Sequence, residues 1–513
     1  MAKAHARRGG RRSGRSKGHR SRIVAGRPAN PARSSDSEIV FGLAAGAGTP
    51  LELVQRLLIE ELKTLRYRAE VLHLSELTRH FQLSTGLPRS SVGEAARIDA
   101  MMNRGNEARS VTRRNDILAL AAIGDIRFRR GAGALALRNR AFVLRQLKHP
   151  DEVFLLRRTY GDGFHLVGVY CPRKVREREL RRRGVRETDV RRLVERDEHE
   201  PSDSGQHLRD TFHLADVFIE VADDEARLAA QLRRFLRLLF GLGITTPSRD
   251  EFGMFQAFAN SLRSSQLGRQ VGAAILTPAG DLVSVGTNEV PRHGGGVYWD
   301  GDKDDQRDHA RGRDSSDELR EEIVCEITER LNPGLSASAR RRLVAENLEK
   351  LRATTITDLT EFGRAVHAEA EAILSAARRG VAVRGGRRYC TTFPCHVCAK
   401  HIVGAGIEQV TFIEPYPKSR ALALHHDAIA LEDSDEARVT FRPFVGVAPR
   451  RFVDLFSMRS AEGSEIRRKD PSGRPVLDQR NLRLQMPYHS ALDREDEAAE
   501  QLLDFIDTRG GRR

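Results

Sequence analysis

Apolar residues in this chain fall into short continuous runs alternating with stripes at helical spacing. Glu38-Ile39-Val40-Phe41 reads as a buried strand, and Gly42 to Pro50 as a loop of small residues. Leu51 to Lys63 places Leu51, Val54, Leu57, Leu58 and Leu62 on one stripe, the mark of an amphipathic helix. Ala69 to Leu74 is a second strand. Ala141 to Leu144, Phe164 to Tyr170 and the end of Asp210 to Ile219 predict more strands. Val175 to Glu195 predicts a charged helical run, and Leu228 to Phe240 a helix ended by Gly241 and Gly243. A second pattern starts near Thr246. It has a helix over Glu251 to Leu267, then strands Val271 to Leu276 and Leu282 to Gly286 joined by Pro278-Ala279-Gly280-Asp281. Two charged helices, about Ser316 to Arg330 and Ala337 to Leu351, are followed by an Ala-rich one over Ala370 to Arg379. Arg388 to Phe393 and Gln409 to Glu414 are strands, and Val439 to Phe444 is the last. From about Ser460 the chain is polar, with one late amphipathic helix near Ala498 to Ile506. The pattern predicts an α/β protein with a tail over 1–37, domains over 38–245 and 246–460, and a polar extension over 461–513.

Strand, Gly loop, helix, strand is the opening of a P-loop nucleotide kinase, a parallel-sheet domain. Gly42, Gly46, Gly48 and Thr49 are its candidate nucleotide-binding residues. The loop departs from the pattern at the Lys that should reach the phosphates. A motif begun at Gly42 puts Gly48 at that position, with Thr49 in place for magnesium; one begun at Gly46 puts Glu52 there. Neither register supplies the cation, so phosphoryl transfer is not expected. Val175 to Glu195 occupies the place of a mobile lid, though such a run is commonly a solvated helix face.

A chain of 513 residues exceeds one domain, and 39 % hydrophobic content suffices for globular cores. Charged residues reach 31 % with a formal net charge of +15, which favours anionic partners. No run is long and apolar enough for a membrane span, and the first residues lack the apolar core of a secretory signal. Five sparse cysteines point to a reducing, cytoplasmic setting. The Arg-, Gly- and Ser-rich tail cannot bury enough surface to order itself; it reads as solvated, or alternatively as an electrostatic arm for nucleic acid. Asp300-x-Asp302-x-Asp304 imitates a calcium loop, but Asp305 and Arg311 stand where Gly and a bidentate Glu are needed. It is expected to be a loop beside the active site.

The chemistry concentrates in His367-Ala368-Glu369 and Pro394-Cys395-His396-Val397-Cys398. Catalytic zinc takes three protein ligands and keeps one position open to activate water. His367, Cys395 and Cys398 are that set; the two cysteines, three apart, share a helix face, and Pro394 suits the helix's first turn. A thiol at a helix N-terminus binds metal as thiolate. Glu369 is not a ligand and can move protons. Positions i and i+2 do not share a face of a regular helix, so His367 and Glu369 converge only at the very start of one. A structural zinc knuckle would need a fourth Cys or His at close spacing, which these motifs lack.

These motifs resemble the cytidine and deoxycytidylate deaminase superfamily. FPCHVCAKHIVGAGI, FIEPYPKS and PFVGVAPRR are similar to a narrower group, the two-domain anti-phage deoxycytidine nucleotide deaminases, over about residues 38 to 460. The resemblance implies an α/β/α deaminase sandwich after a P-loop kinase-like domain, Zn2+ on His367, Cys395 and Cys398, Glu369 as proton shuttle, and Asn288 of the Asn-x-x-Pro motif on the sugar. It implies conversion of dCTP or dCMP to the uracil nucleotide, depleting dCTP during phage infection. A housekeeping dCMP deaminase regulated by nucleotide at the kinase-like domain and a nucleic-acid cytosine deaminase are the alternatives; a homo-oligomer is open. Glu371 stands where many deoxycytidylate deaminases carry Asn.

Overall fold

The computed structural model describes residues 37–506 apart from 89–91, 131–138, 201, 222–223, 352–353, 355–362, 417–418, 432–436, 460–465, 478–479 and 481. The basic tail, but for Ser37, and the nucleic-acid role considered for it therefore lie outside the described residues. Two six-stranded sheets organise the rest. The first runs β12-β5-β4-β1-β3-β2, with β1 (Ile39–Ala45), β2 (Arg68–His73), β3 (Arg140–Arg145), β4 (Phe164–Tyr170) and β5 (Val217–Glu220) all parallel. The central strand β1 is covered on both faces, so its residues are apolar or small without alternation. This corrects one expectation. Gly42 to Ala45 continue buried β1 between β3 and β4, and the loop is only Gly46 to Pro50. Gly42 is thus a strand residue, not part of a phosphate loop.

Helices Leu51–Thr64 and Glu225–Leu239 cover one face of this sheet, and Ile117–Arg130 and Pro150–Tyr160 the other. The expected stripe of Leu51, Val54, Leu57, Leu58 and Leu62 is the buried face of the first helix. The charged run after β4 is two helices, Arg173–Arg182 and Glu187–Glu198, because Gly184 turns the chain in a left-handed conformation.

The second sheet runs β10-β11-β9-β8-β6-β7. Here β6 (Gly272–Leu276) and β7 (Leu282–Thr287) form the expected hairpin, and β8 (Arg387–Thr392) is antiparallel to β6 and parallel to β9 (Gln409–Glu414). β11 (Val439–Pro443) lies beside β9, and β10 (Ile429–Leu431), too short to announce itself in sequence, forms the edge.

The chain then returns to the first sheet. β12 (Gly446–Val447) pairs antiparallel with β5, and helix Tyr488–Ile506 packs on Ile117–Arg130 with Ala491 and Ala498 buried. The polar stretch after 461 therefore contributes to the first core. Within it, buried Arg130 bridges the buried carboxylates of Glu38 and Glu495. One further carboxylate ties the parts together. Glu251, in the first turn of helix Arg249–Ser261, is 1 % exposed. It accepts from both Arg234 terminal nitrogens at 2.6 and 2.7 Å, from Ser248 N at 2.7 Å and from Val447 N at 2.9 Å. Arg234→Ala leaves this carboxylate short of its charged donors. Urea unfolding should show a loss of about 1–3 kcal/mol, and an unchanged unfolding midpoint would remove Glu251 from this tying role.

Candidate active site

Helix Ala368–Arg378 begins immediately after His367, which is its N-cap residue in an extended conformation (φ −67°, ψ 148°). That is the condition under which His367 and Glu369 can serve one site. Two features hold the helix start in place. Val366 pairs with Glu289 through N–H to O bonds of 3.0 and 3.2 Å, joining the exit of β7 to the residue before His367. Gly286 in β7 lets the helix lie directly on the strand: a Cβ there would come 2.1 Å from the Ala368 carbonyl oxygen and 2.5 Å from Ala372 N.

The second motif leaves β8 through Phe393 and Pro394. Cys395 is the N-cap of helix His396–Gly404, its sulfur accepting from Cys398 N at 3.4 Å. Pro394 therefore precedes the helix instead of opening its first turn, as the sequence had suggested; the Cys395 sulfur does the capping. Ser419 Oγ donates to the Pro394 carbonyl at 2.7 Å and holds this turn from outside.

The two helix N-termini bring the expected set together. His367 Nδ1 lies 3.3 Å from Cys395 Sγ and 3.5 Å from Cys398 Sγ. The three donor atoms all lie within 4.8 Å of one another. One imidazole nitrogen and two sulfurs in such a cluster are a donor set suited to zinc. The Cys395 thiol is drawn down to about 4, first by its hydrogen bond with Cys398 and then by His367. The Cys398 thiol is pushed well up by the same shared proton. Among the described residues His199, His207 and Asp210 form a second cluster of ligand-type side chains, more exposed than the first.

Glu369 is 4 % exposed, and burial pushes its carboxyl above the ordinary value, with His367 opposing. A buried carboxyl raised in this way holds its proton more tightly than one in water. Asn288 follows β7, and its side chain accepts from Val271 N and donates to the Arg269 carbonyl, both at 2.7 Å. Its amide thus braces residues 269–271 at the strand end that leads into the site. Glu371 is paired with Arg378 at 2.6 Å. The loop with Trp299 packs beside this region, Arg263 lying over the indole 3.2 Å from its ring centre.

Sequence reasoning missed Arg388. It is fully buried in β8, donates to the Glu369 carbonyl, and has no partner for Nε or Nη1 among the described residues. Its charge lowers the Glu369 carboxyl against the effect of burial. β8 begins with two arginines, Arg387 and Arg388, and the sequence does not tell which of them turns inward.

Residues 247–414 match the family of the cytidine and deoxycytidylate deaminase zinc-binding region. The chain is a deaminase of the cytidine and deoxycytidylate type. Deoxycytidylate deaminase of Pongo abelii is 25 % identical over 220 residues, 42 % of this chain and 90 % of that protein. The mouse protein of the same name is 26 % identical over 225 residues, 44 % and 90 % of the two chains. Deoxycytidylate deaminase of enterobacteria phage T2 is 44 % identical over 55 residues, 11 % of this chain and 29 % of its own. Among solved structures, dCMP deaminase from cyanophage S-TIM5 in complex with dCMP and dUMP aligns at 16 % identity and a TM-score of 0.22, over 39 % of this chain and 98 % of that one.

The deaminase depends on the approach of helix Ala368–Arg378 to β7. Gly286→Ala should force the two apart at a backbone that cannot yield, costing about 1–3 kcal/mol of stability together with turnover. Deamination and denaturant unfolding measured together test this. Full turnover in a variant of wild-type stability would show that the close approach is not needed.

Proposed function

We propose that this deaminase hydrolyses deoxycytidine nucleotides, dCMP or dCTP, to the uracil nucleotides, with one zinc held by His367, Cys395 and Cys398. The observation that carries it is His367 at a helix N-cap with Nδ1 within 3.5 Å of both sulfurs and Glu369 buried two residues on. Zinc, when bound, supplies an activated water. Glu369 takes the proton of the attacking water as its oxygen bonds to C4 of cytosine, and passes one to N3. It then takes the second proton from the new C4 hydroxyl and delivers it to the amino group; the C4–N bond breaks as the C4 carbonyl forms, and ammonia leaves. Burial keeps that carboxylate from being solvated between transfers. Asn288 keeps one amide N–H beyond its bonds to Val271 N and the Arg269 carbonyl, and that N–H is its contact to the sugar.

The first sheet supports a P-loop kinase-like domain over 38–245. Its parallel order β2-β3-β1-β4-β5, the loop from β1 into helix Leu51–Thr64 and the helical pair after β4 all accord with that architecture. Beside a nucleotide deaminase such a domain suits a regulatory role, and depletion of dCTP in antiviral defence is the use we infer. No described helix is long and apolar enough to cross a membrane, and all five cysteines are free; we place the enzyme in the cytoplasm.

Uracil formation from dCMP, dCTP, CTP and single-stranded DNA, compared side by side, tests the substrate class. Free deoxynucleotides should be turned over and DNA should not; the reverse order would overturn the proposal. Purified protein should carry about one zinc per chain, and Cys395→Ser should lose both zinc and activity. Full zinc occupancy in that variant would remove Cys395 from the ligand set. Glu369→Gln keeps shape and hydrogen bonding but not the base. Its turnover should fall by ~10²–10⁴ or more, while zinc content and nucleotide binding stay near wild type. Substantial remaining turnover would refute Glu369 as the proton shuttle.

A further inference from the structure

The cation absent from the Gly46–Thr49 loop in sequence is present in space. Lys148, just after β3, places Nζ 2.7 Å from the Ala45 carbonyl at the end of β1. Its position is fixed from behind. Lys148 N donates to Glu152 at 2.8 Å, and Glu152 is held by buried Arg109 at 2.8 Å. What faces Lys148 is an anion of the chain itself. Asp197, on helix Glu187–Glu198 and 1 % exposed, accepts from Lys148 Nζ at 2.7 and 2.9 Å and from the loop amide Ala47 N at 2.7 Å. An ammonium and a loop N–H at a helix N-terminus are the donors that grip a phosphate.

Three further observations describe the same cradle. Thr49, at the end of the loop and two residues before helix Leu51–Thr64, is 5 % exposed and its Oγ1 has no hydrogen-bond partner among the described residues. It lines a cleft of about 320 Å³ together with Lys148, Asp197, Arg97 and Arg183. Gly48 adopts φ +82°, and a Cβ on it would meet the Arg176 carbonyl oxygen at 2.5 Å, so helix Arg173–Arg182 is seated on the loop. On its other side Gly46 borders an apolar cavity of about 470 Å³, walled by Tyr170, Arg176 and Phe212 from the first sheet's side and Phe393 and Tyr416 from the second's. Aromatic walls beside a phosphate cradle suit a nucleobase. Phe393 is the residue before Pro394 and Cys395.

We propose that Gly46 to Thr49, with Lys148 as the cation, form a binding site for the phosphate tail of a nucleoside triphosphate, and that Asp197 occupies it as an internal stand-in until such a ligand displaces it. The site is separate from the deaminase centre and requires no phosphoryl transfer. The resident carboxylate is a competitor tethered to the cradle, so the wild-type protein binds with an affinity reduced by the fraction of time Asp197 is out. Displacement draws the Asp197 carboxylate out of the cradle and releases the end of helix Glu187–Glu198 that it anchors.

Calorimetry on the full chain tests the site, with ATP and inorganic tripolyphosphate as probes. Asp197→Asn should bind ATP about tenfold tighter or more than wild type, and Lys148→Met/Asp197→Asn should lose that binding. Competition by tripolyphosphate is expected, because the tail is what the cradle holds. Equal or weaker binding by Asp197→Asn would overturn the stand-in, and retained binding by the double variant would overturn Lys148 as the cation. Asp197→Asn leaves Lys148 buried without its counter-charge and risks misfolding. Hydrogen exchange on the wild-type protein decides independently of any variant. Saturating ATP should slow exchange over residues 46–52 and quicken it over 187–198, and no change in either segment would refute the proposal.

Discussion

The deaminase centre rests on one close approach, that of helix Ala368–Arg378 to β7 across Gly286. A side chain at that glycine would occupy the space of the Ala368 carbonyl, so the helix start and the strand are locked at one separation. His367 then sits at the N-cap, where a nitrogen can reach toward the cysteines without leaving a helical turn. The Cys395 cap of helix His396–Gly404 meets it from β8, two strands away in the same sheet. Both helix N-termini point partial positive charge at the donor cluster, where the Cys395 thiol is drawn down and Cys398 keeps the shared proton. The geometry that gathers the three donor atoms also readies Cys395 for ionisation.

The same constraint explains the polar residues around the centre. Glu289 is fully buried, and its carboxylate accepts from Ser265 N and Oγ at 2.8 and 2.7 Å and from Val290 N at 2.8 Å. Its backbone meanwhile pairs with Val366. A buried carboxylate with several donors is costly to move, so the β7 exit loop is a rigid wall of the site. Arg388 acts from the opposite side, donating to the Glu369 carbonyl from within the sheet.

The two sheets are not independent bodies. Buried residues of the first sheet's core, including Phe218, continue through Met254, Ala257 and Phe444 to Ala274 and Tyr389 of the second. Glu251 and Asp216 fix the crossing of the chain between them. Asp216, also buried, accepts from Leu166 N and is paired with Arg157 and Arg451, while its carbonyl accepts from Ala448 N. The segment after β11 is thereby clamped to β5.

Local spacing determined most of the elements and the Cys/His cluster. Parallel strands such as Phe164–Tyr170 are legible because burial on both faces demands an unbroken apolar run, and His367, Cys395 and Cys398 because ligands near helix starts need fixed short intervals. Glycine after a strand was less decisive: Gly42 belongs to β1, since small apolar residues satisfy a buried strand as well as a loop. β10 and β12, of three and two residues, exist only because a longer strand offers them an edge. The start of the last helix at Tyr488 came from packing on Ile117–Arg130 and not from its own pattern. Arg388, Lys148 and Asp197 lay beyond sequence reasoning for one reason. Each acts on residues distant in the chain, and a charge inside a strand or helix carries no local sign of its partner. Spacing along the chain fixed which residues could share a helix start or a strand face; only the tertiary structure decided which charges meet across elements, because Coulomb and hydrogen-bond energies depend on distance in space.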